Sequence, residues 1–461
     1  MRGGGGGIRG EHPRVNREPG ARCRTLLAIV AVVAALAMAT GMASGRPAVA
    51  HPVVKGQAVG VVRVVRDRAV FRVGPTTDHD RRTPLEKGAL LSICGRSGAW
   101  LVADLGAGDR GWVEERDVEW MPPQTQADVV LRNVLVRPTA CETRVDIETS
   151  AQGSFDVIEE LDPPALVVRL HRTTSMIHEI AQYCDDLIVG PATVRQVEPA
   201  RVELRFPLAR KGAWGYRVAS AVSPNLPGDP SGHDFRHVGP CDFRITLARP
   251  PDVPASVAPA GEGTGAPSLQ GVTVVLDPGH GGSDSGAVGV GGLVEKEINL
   301  AVALQAREAL RKRGARVVMT RDVDRDTAPA RADELSHRVE VGCAEQGHVF
   351  VSIHHNARPR VEDARVACGV FVYYYQPWSA DLARALVAPV ADAQREAHRA
   401  YVFRSFAVTR QTYMPSVLVE VGFISNPQEE QKMRDPGYAP RIGEAIASGI
   451  ERWFTERGRR P

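Results

Sequence analysis

No charge of one sign dominates this chain. Its 461 residues carry 57 Lys and Arg against 54 Asp and Glu, a formal charge of +3. That balance argues against a nucleic-acid partner, which calls for basic charge gathered on one face. C-x-x-C pairs are absent, which argues against a sulfur-ligated zinc site. The Gly-rich stretch Gly279–Gly292 has neither G-x-G-x-x-G nor the Lys-Ser/Thr ending of a P-loop, so it is no nucleotide cradle. The apolar run Leu26–Ala39 is about 14 residues, short of the roughly 20 that span a bilayer.

What is present points outward from the cytoplasm. Arg2, Arg9, Arg14, Arg17, Arg22 and Arg24 precede the apolar run, and Ala48-Val49-Ala50 follows it as a small-x-small cleavage site. Residues 1–50 therefore read as a signal peptide, with a tilted membrane anchor as the alternative. Cys23 lies ahead of the run, out of place for a lipid anchor. No adjacent arginine pair marks the twin-arginine route. The mature chain is expected from His51 as an exported monomer in the periplasm or cell wall, with no stable membrane insertion. Cys94, Cys141, Cys184, Cys241, Cys343 and Cys368 remain, and as an even set they permit disulfides or buried thiols.

With 43% hydrophobic and 24% charged residues, the chain is globular in composition and long enough for two to four domains. The alternating pattern breaks near Met121-Pro122-Pro123, and the Pro/Ala/Gly-rich segment 249–269 cannot bury enough apolar surface to order itself, so it reads as a flexible linker. Residues 51–122 show short alternating runs, Leu90–Ile93 and Trp100–Ala103, separated by glycines. Phe71–Asp78 with Lys87-Gly88, Gly98-Ala99-Trp100 and Gly111-Trp112-Val113 resembles a bacterial SH3-like domain. The resemblance implies wall binding, against the plainer reading of a packing module. Residues 126–248 carry likely strand sequences at Thr143–Ile147 and Ala165–Leu170 around a Leu161-Asp162-Pro163-Pro164 turn, and the arrangement is similar to a wall-targeting AMIN domain.

Residues 270–458 alternate between β runs (Val272–Leu276, Val317–Thr320, Val349–Ile353, Gly369–Tyr375, Ser416–Glu420) and helical ones (Ile298–Arg313, Arg331–Ala344, Ile442–Phe454). The fold class expected is an α/β domain, a mostly parallel twisted sheet with helices on both faces, preceded by two small mainly-β domains. Sites in such sheets gather at the carboxyl ends of strands. His280, His354 and Glu420 fall at such ends, and Glu295 stands just before the first helix. Two imidazoles and a carboxylate make a catalytic zinc set with a position left open for water, and a second carboxylate can move the proton. Taken singly, each histidine reads as a turn residue and Glu295 as a favourable charge at a helix start. Glu420 in an apolar strand needs a partner or a role.

From Val272 to Phe454 the chain resembles the zinc-dependent N-acetylmuramoyl-L-alanine amidases. The motifs that carry the resemblance are Asp277-Pro278-Gly279-His280-Gly281-Gly282, Gly292-Leu293-Val294-Glu295-Lys296, Thr320-Arg321-Asp322, Ser352-Ile353-His354-His355-Asn356-Ala357 and Val419-Glu420-Val421-Gly422-Phe423-Ile424-Ser425-Asn426. The resemblance implies zinc on His280, Glu295 and His354, Glu420 as general base, and cleavage of the amide joining peptide to sugar in peptidoglycan. Glu297 is the rival ligand, and His355 would contact substrate or, in the favoured reading, merely cover the site. Gly342-Cys343, where relatives have Ala-Asn, concerns helix packing. The span from His354 to Glu420 leaves no room for the extra helix with which some relatives plug the zinc, so the catalytic module alone, about 270–461, is expected to be active without an activator. A zinc carboxypeptidase is the first competing reading, but no clamp for a terminal carboxylate is recognisable. The second is a non-catalytic wall-binding protein, for which one of the four residues would have to be missing.

Overall fold

The computed structural model describes residues 59–139, 142–182, 188–208, 214–220, 243–251, 268–329, 334–358 and 366–459. The expected signal peptide lies outside the described residues, as do Cys141, Cys184, Cys241 and all but the ends of the expected linker.

The last segment carries a six-stranded sheet. Its strands are β1 (Thr273–Pro278), β2 (Arg316–Met319), β3 (Val349–Asn356), β4 (Val370–Tyr374), β5 (Arg399–Phe403) and β6 (Ser416–Phe423), in the order β2-β1-β3-β6-β4-β5. The first four run parallel, whereas β4 is antiparallel to β6 and β5 follows β4. The helices are α1 (Glu295–Lys312), α2 (Glu334–Ala344), α3 (Ala380–Gln394), α4 (Pro427–Met433) and α5 (Tyr438–Arg459).

Alternation along the strands sends side chains to two cores. Val274, Leu276, Val351, Val372 and Val419 meet α1, α3 and α5 on one face, through residues such as Val302, Leu386 and Ile446. Val275, Phe350, Tyr373 and Leu418 face the other way, where Val339 of α2 packs with Val408 and Met414. Gly342 of α2 leaves room for Phe350 and Val275, so this position does serve helix packing. The expected helices on both faces are present.

Upstream, six antiparallel strands between Gly60 and Trp120 enclose Val62, Phe71, Leu91, Ile93, Leu101 and Val113. Two further sheets then stack face to face. One holds Phe155–Leu161, Pro164–His171, Thr193–Glu198 and Arg201–Pro207; the other is built on Val129–Pro138, Glu142–Thr149, Tyr216–Ser220 and Phe243–Ala248. Leu131, Val145 and Ile147 meet Leu166, Leu204 and Phe206 between them.

The described domains pack against one another within one compact unit, Val53–Pro461. Trp214, from the segment ahead of Tyr216, sits in the catalytic core against Trp453 and Phe454, with ring centroids 5.0 and 5.4 Å away. Its indole N–H donates to the carbonyl of His348. In return Trp378 enters the sandwich core, where its backbone N–H donates to Glu159 at 2.8 Å. Tyr216 and Thr412 exchange hydrogen bonds of 2.7 and 2.8 Å. Arg82 pairs with Asp156 at 2.6 Å across the first two domains, and the Tyr375 hydroxyl donates to the carbonyl of Arg81 at 3.0 Å. The exchanged tryptophans hold these domains together through buried aromatic contacts. Leu269, at the expected end of the linker, is itself buried in the catalytic core.

Candidate metal centre

The centre lies at the carboxyl ends of β1, β3 and β6. Pro278 is paired with Ile353 across β1 and β3, which brings the residues just beyond, Gly279 and His354, side by side. A Cβ on Gly279 would lie 2.2 Å from the His354 ring, so only glycine lets the loop pass. His280 follows with φ 60°, a left-handed conformation that costs a side-chain-bearing residue and aims its ring back over the sheet. The loop closes at Glu295, the first residue of α1 rather than one that precedes the helix.

Three side chains converge. His280 Nε2 and His354 Nδ1 each lie 3.1 Å from Glu295 Oε1, and the two rings cross at 78° with centroids 4.9 Å apart. The three donor atoms lie within 4.8 Å of one another, the spread of a set that a single cation can draw in. The other imidazole nitrogen of His280 is held by Asp284 Oδ2 at 2.8 Å, the outer contact that fixes the orientation of a ligating histidine. The second oxygen of Glu295 accepts from the Ala287 N–H at 2.8 Å. A Cβ at Gly286 would reach 2.6 Å from that oxygen, so a second glycine keeps the cradle open.

Burial works against the charge on both partners here, and hydrogen bonding overrides it. The two imidazoles hold the Glu295 carboxyl far below its ordinary range, while Glu295 and then Asp284 carry His280 up to about 9. A carboxylate this strongly held as an anion is a donor ready for a cation.

Glu420 stands on β6 as the register partner of His354 on β3. Burial pushes its carboxyl up to about 7, with the positive field of His354 pulling the other way. Its Oε2 is buried without a hydrogen-bond partner among the described residues. An orphaned carboxylate oxygen beside a His–Glu–His set suits a group that exchanges protons with a bound molecule.

The structure therefore brings His280, Glu295, His354 and Glu420 together. Glu297 does not join them, since it is exposed on the far side of the first turn of α1. His355 points beneath the centre: it is buried, bonded to Asn299 at 2.7 Å and Tyr438 at 3.0 Å, and burial depresses it to about 3. It therefore packs in the interior beneath the centre.

The sequence reading gave no role to the residues that hold the loop. Asp277, buried at the end of β1, accepts from Thr320 at 2.6 Å, Ser352 at 2.6 Å and Arg338 at 2.7 Å. Arg338 also donates to the carbonyl of His280 at 2.8 Å, and Arg321 donates to the carbonyls of Pro278 and Gly279 at 3.0 Å each. The one available signal was Asp277 itself, a carboxylate ending an apolar strand, which needs buried donors.

Among the described residues, the span from His354 to Glu420 contains a single α-helix, α3, packed on the core; positions 359–365 of that span lie outside them.

Comparison with known proteins identifies the family. The sequence model of the N-acetylmuramoyl-L-alanine amidase family matches residues 274–452. The germination-specific N-acetylmuramoyl-L-alanine amidase of Bacillus subtilis is 36% identical over 211 residues, covering 42% of this chain and 84% of that protein. The probable cell wall amidase LytH of Staphylococcus epidermidis is 33% identical over 199 residues, covering 43% of this chain and 63% of its own length. Among solved structures, the amidase AmiC2 of Nostoc punctiforme is 34% identical with a TM-score of 0.36, covering 40% of this chain and 96% of that one. With a relative of this identity spanned over most of its length, and the motifs of the match assembled into one site, the chain belongs to the N-acetylmuramoyl-L-alanine amidase family.

Proposed function

We propose that this protein is an exported zinc amidase that hydrolyses the amide between the lactyl group of N-acetylmuramic acid and the L-alanine of the stem peptide. The observation that carries the reading is the convergence of His280, Glu295 and His354 beside the orphaned carboxylate of Glu420. The three donors are of the types and number that hold catalytic zinc. An ion there supplies Lewis-acid polarisation of the scissile carbonyl and activation of water.

The chain's own residues do the rest. Glu295 and the two imidazoles contribute the coordinating atoms, and Asp284 keeps His280 oriented. Glu420 receives the proton of the attacking water and delivers it to the departing alanine amine. A carboxyl raised to about 7 by burial is matched to both halves of that transfer near neutral pH. Arg321, Arg338 and Asp277 hold the loop so that His280 does not drift as charge develops.

Upstream, we propose a signal peptide at 1–50, an SH3-like domain at 51–122 and an AMIN-like domain at 126–248 that hold peptidoglycan, and the linker at 249–269. The all-β content of the described upstream residues supports this assignment. Export to the periplasm or wall follows from the leader and the substrate. Among the described residues no helix is long and apolar enough to cross a membrane.

The deciding experiment is digestion of purified peptidoglycan with mass spectrometry of the products. An amidase leaves intact glycan and new L-alanine amines. Release of terminal amino acids from the stem instead would establish a carboxypeptidase.

A further inference from the structure

We propose that Cys368, Glu396 and His398 form a second metal site, for a divalent cation of the zinc class, which clamps the reversed edge of the catalytic sheet. No residue is shared with the first centre, and the proposal stands independently of the amidase reading.

Strand pairing assembles the three donors. β4 and β5 run parallel with Val370 opposite Arg399, so the residues that lead into the two strands arrive together. The Val370 N–H donates to the carbonyl of His398 at 2.9 Å. Gly369 allows the close approach: a Cβ there would lie 2.8 Å from that carbonyl oxygen and 3.0 Å from the His398 Cβ. Cys368 and His398 thus flank one backbone contact, and Glu396 reaches in from the turn after α3. The Cys368 sulfur, a Glu396 oxygen and a His398 ring nitrogen lie within 4.8 Å of one another, all on half-buried residues.

The chemistry of the set favours a metal over an ordinary surface cluster. Thiolate, imidazole and carboxylate are three donor types that zinc-class ions accept together, whereas magnesium and calcium take oxygen ligands. Glu396 already has two contacts, the His398 N–H at 3.1 Å on Oε1 and Lys432 Nζ at 3.8 Å from Oε2. A carboxylate has about four acceptor positions, so a metal bond is compatible with both. The ion pair to Lys432 explains Glu396 alone; it gives no reason for a sulfur and an imidazole at the same point. Negative charge on the thiolate and on Glu396 balances a divalent ion.

The position gives the clamp its use. β4 is joined to β6 only from Phe371 to Tyr373, and Phe371 is the partner of Glu420. β5 is the outer strand beyond it. An ion tying the start of β4 to the start of β5 would fix the strand that flanks Glu420. The missing C-x-x-C concealed the site, because its donors meet through strand pairing and not through local spacing.

The test uses the reduced full chain loaded with cobalt(II). A thiolate-to-cobalt charge-transfer band in the near ultraviolet requires a sulfur ligand, and the His280–Glu295–His354 centre has none. The wild type should show this band and bind one more equivalent of metal than the Cys368→Ser variant, which should lose the band. His398→Gln, which keeps the sulfur, should also lose that equivalent. His354→Ala should keep the band while losing metal from the other centre. A wild type without the band, a band that survives Cys368→Ser, or unchanged metal content in both Cys368→Ser and His398→Gln would overturn the proposal.

Discussion

His354 and Glu420 face each other across two parallel strands, and the ladder shifts register immediately beyond them, so that Asn356 pairs with Phe423. Ligand and proton carrier are therefore spaced by the sheet, the stiffest part of the domain, and not by a loop. Their functions should separate cleanly. Glu420→Gln should lose roughly a hundredfold or more in rate and still bind zinc. His354→Ala should lose both metal and activity. Metal analysis beside a peptidoglycan assay reads the two effects, and loss of zinc in Glu420→Gln would place that residue among the ligands instead.

Asp284 tests the outer shell. It holds His280 at 2.8 Å yet contributes nothing to the converging donor set. Asp284→Ala should weaken metal affinity by about 10–100-fold, with activity recovering as zinc is added. A variant that saturating zinc fails to rescue would give Asp284 a direct part in the reaction.

The contrast between these residues shows what a sequence can and cannot carry. The histidine donors were legible because strand ends in an α/β sheet gather at one edge, whereas Glu295 opens a helix and Glu420 lies inside its strand, three residues before its end. Five of the six strands and the helices α1, α2 and α5 were legible from alternation and apolar spacing. Arg321 and Arg338 carry no legible role in the sequence, because much of what they bind is backbone carbonyl of the loop, which has no side-chain signature. Trp214 was invisible for a similar reason. It lies in a short segment ahead of a strand, and only the assembled fold shows that its bed belongs to another domain.

Glu159 makes the contact between the domains sensitive to pH. It is buried beneath Trp378, and burial pushes its carboxyl up to about 8, with the Trp378 N–H pulling the other way. A carboxyl raised in the folded state contributes stability that is full below its unfolded value, about 4.3, and is lost as pH climbs through 8. Glu159→Gln keeps an acceptor for Trp378 and removes the titration. The variant and wild type should melt alike near pH 4.5, with the variant gaining at up to about 1.4 kcal/mol per pH unit as pH rises towards 8. A stability difference that is flat with pH would count against this account.

The exchanged tryptophans bear on how the catalytic domain behaves alone. With no plugging helix evident among the described residues between His354 and Glu420, the full mature chain should cut peptidoglycan without an activator. The fragment 270–461 is a different matter. It lacks Trp214, which is 4% exposed and fills a bed formed by Trp453 and Phe454 at the end of α5. Removing that indole strips apolar contact from two aromatic rings and leaves the His348 carbonyl without its donor. In the full chain Trp214→Ala should cost about 3–5 kcal/mol, the range for a large aromatic cut from a core. Cutting at 270 should cost at least as much, since it also removes the Tyr216 contacts to Thr412. Thermal melts of the full chain, Trp214→Ala and the fragment decide the point. If all three unfold at one temperature, the upstream domains are passengers and their role is confined to holding the wall; if the fragment melts early but still cuts soluble muropeptides when kept cold, they stabilise the enzyme they deliver.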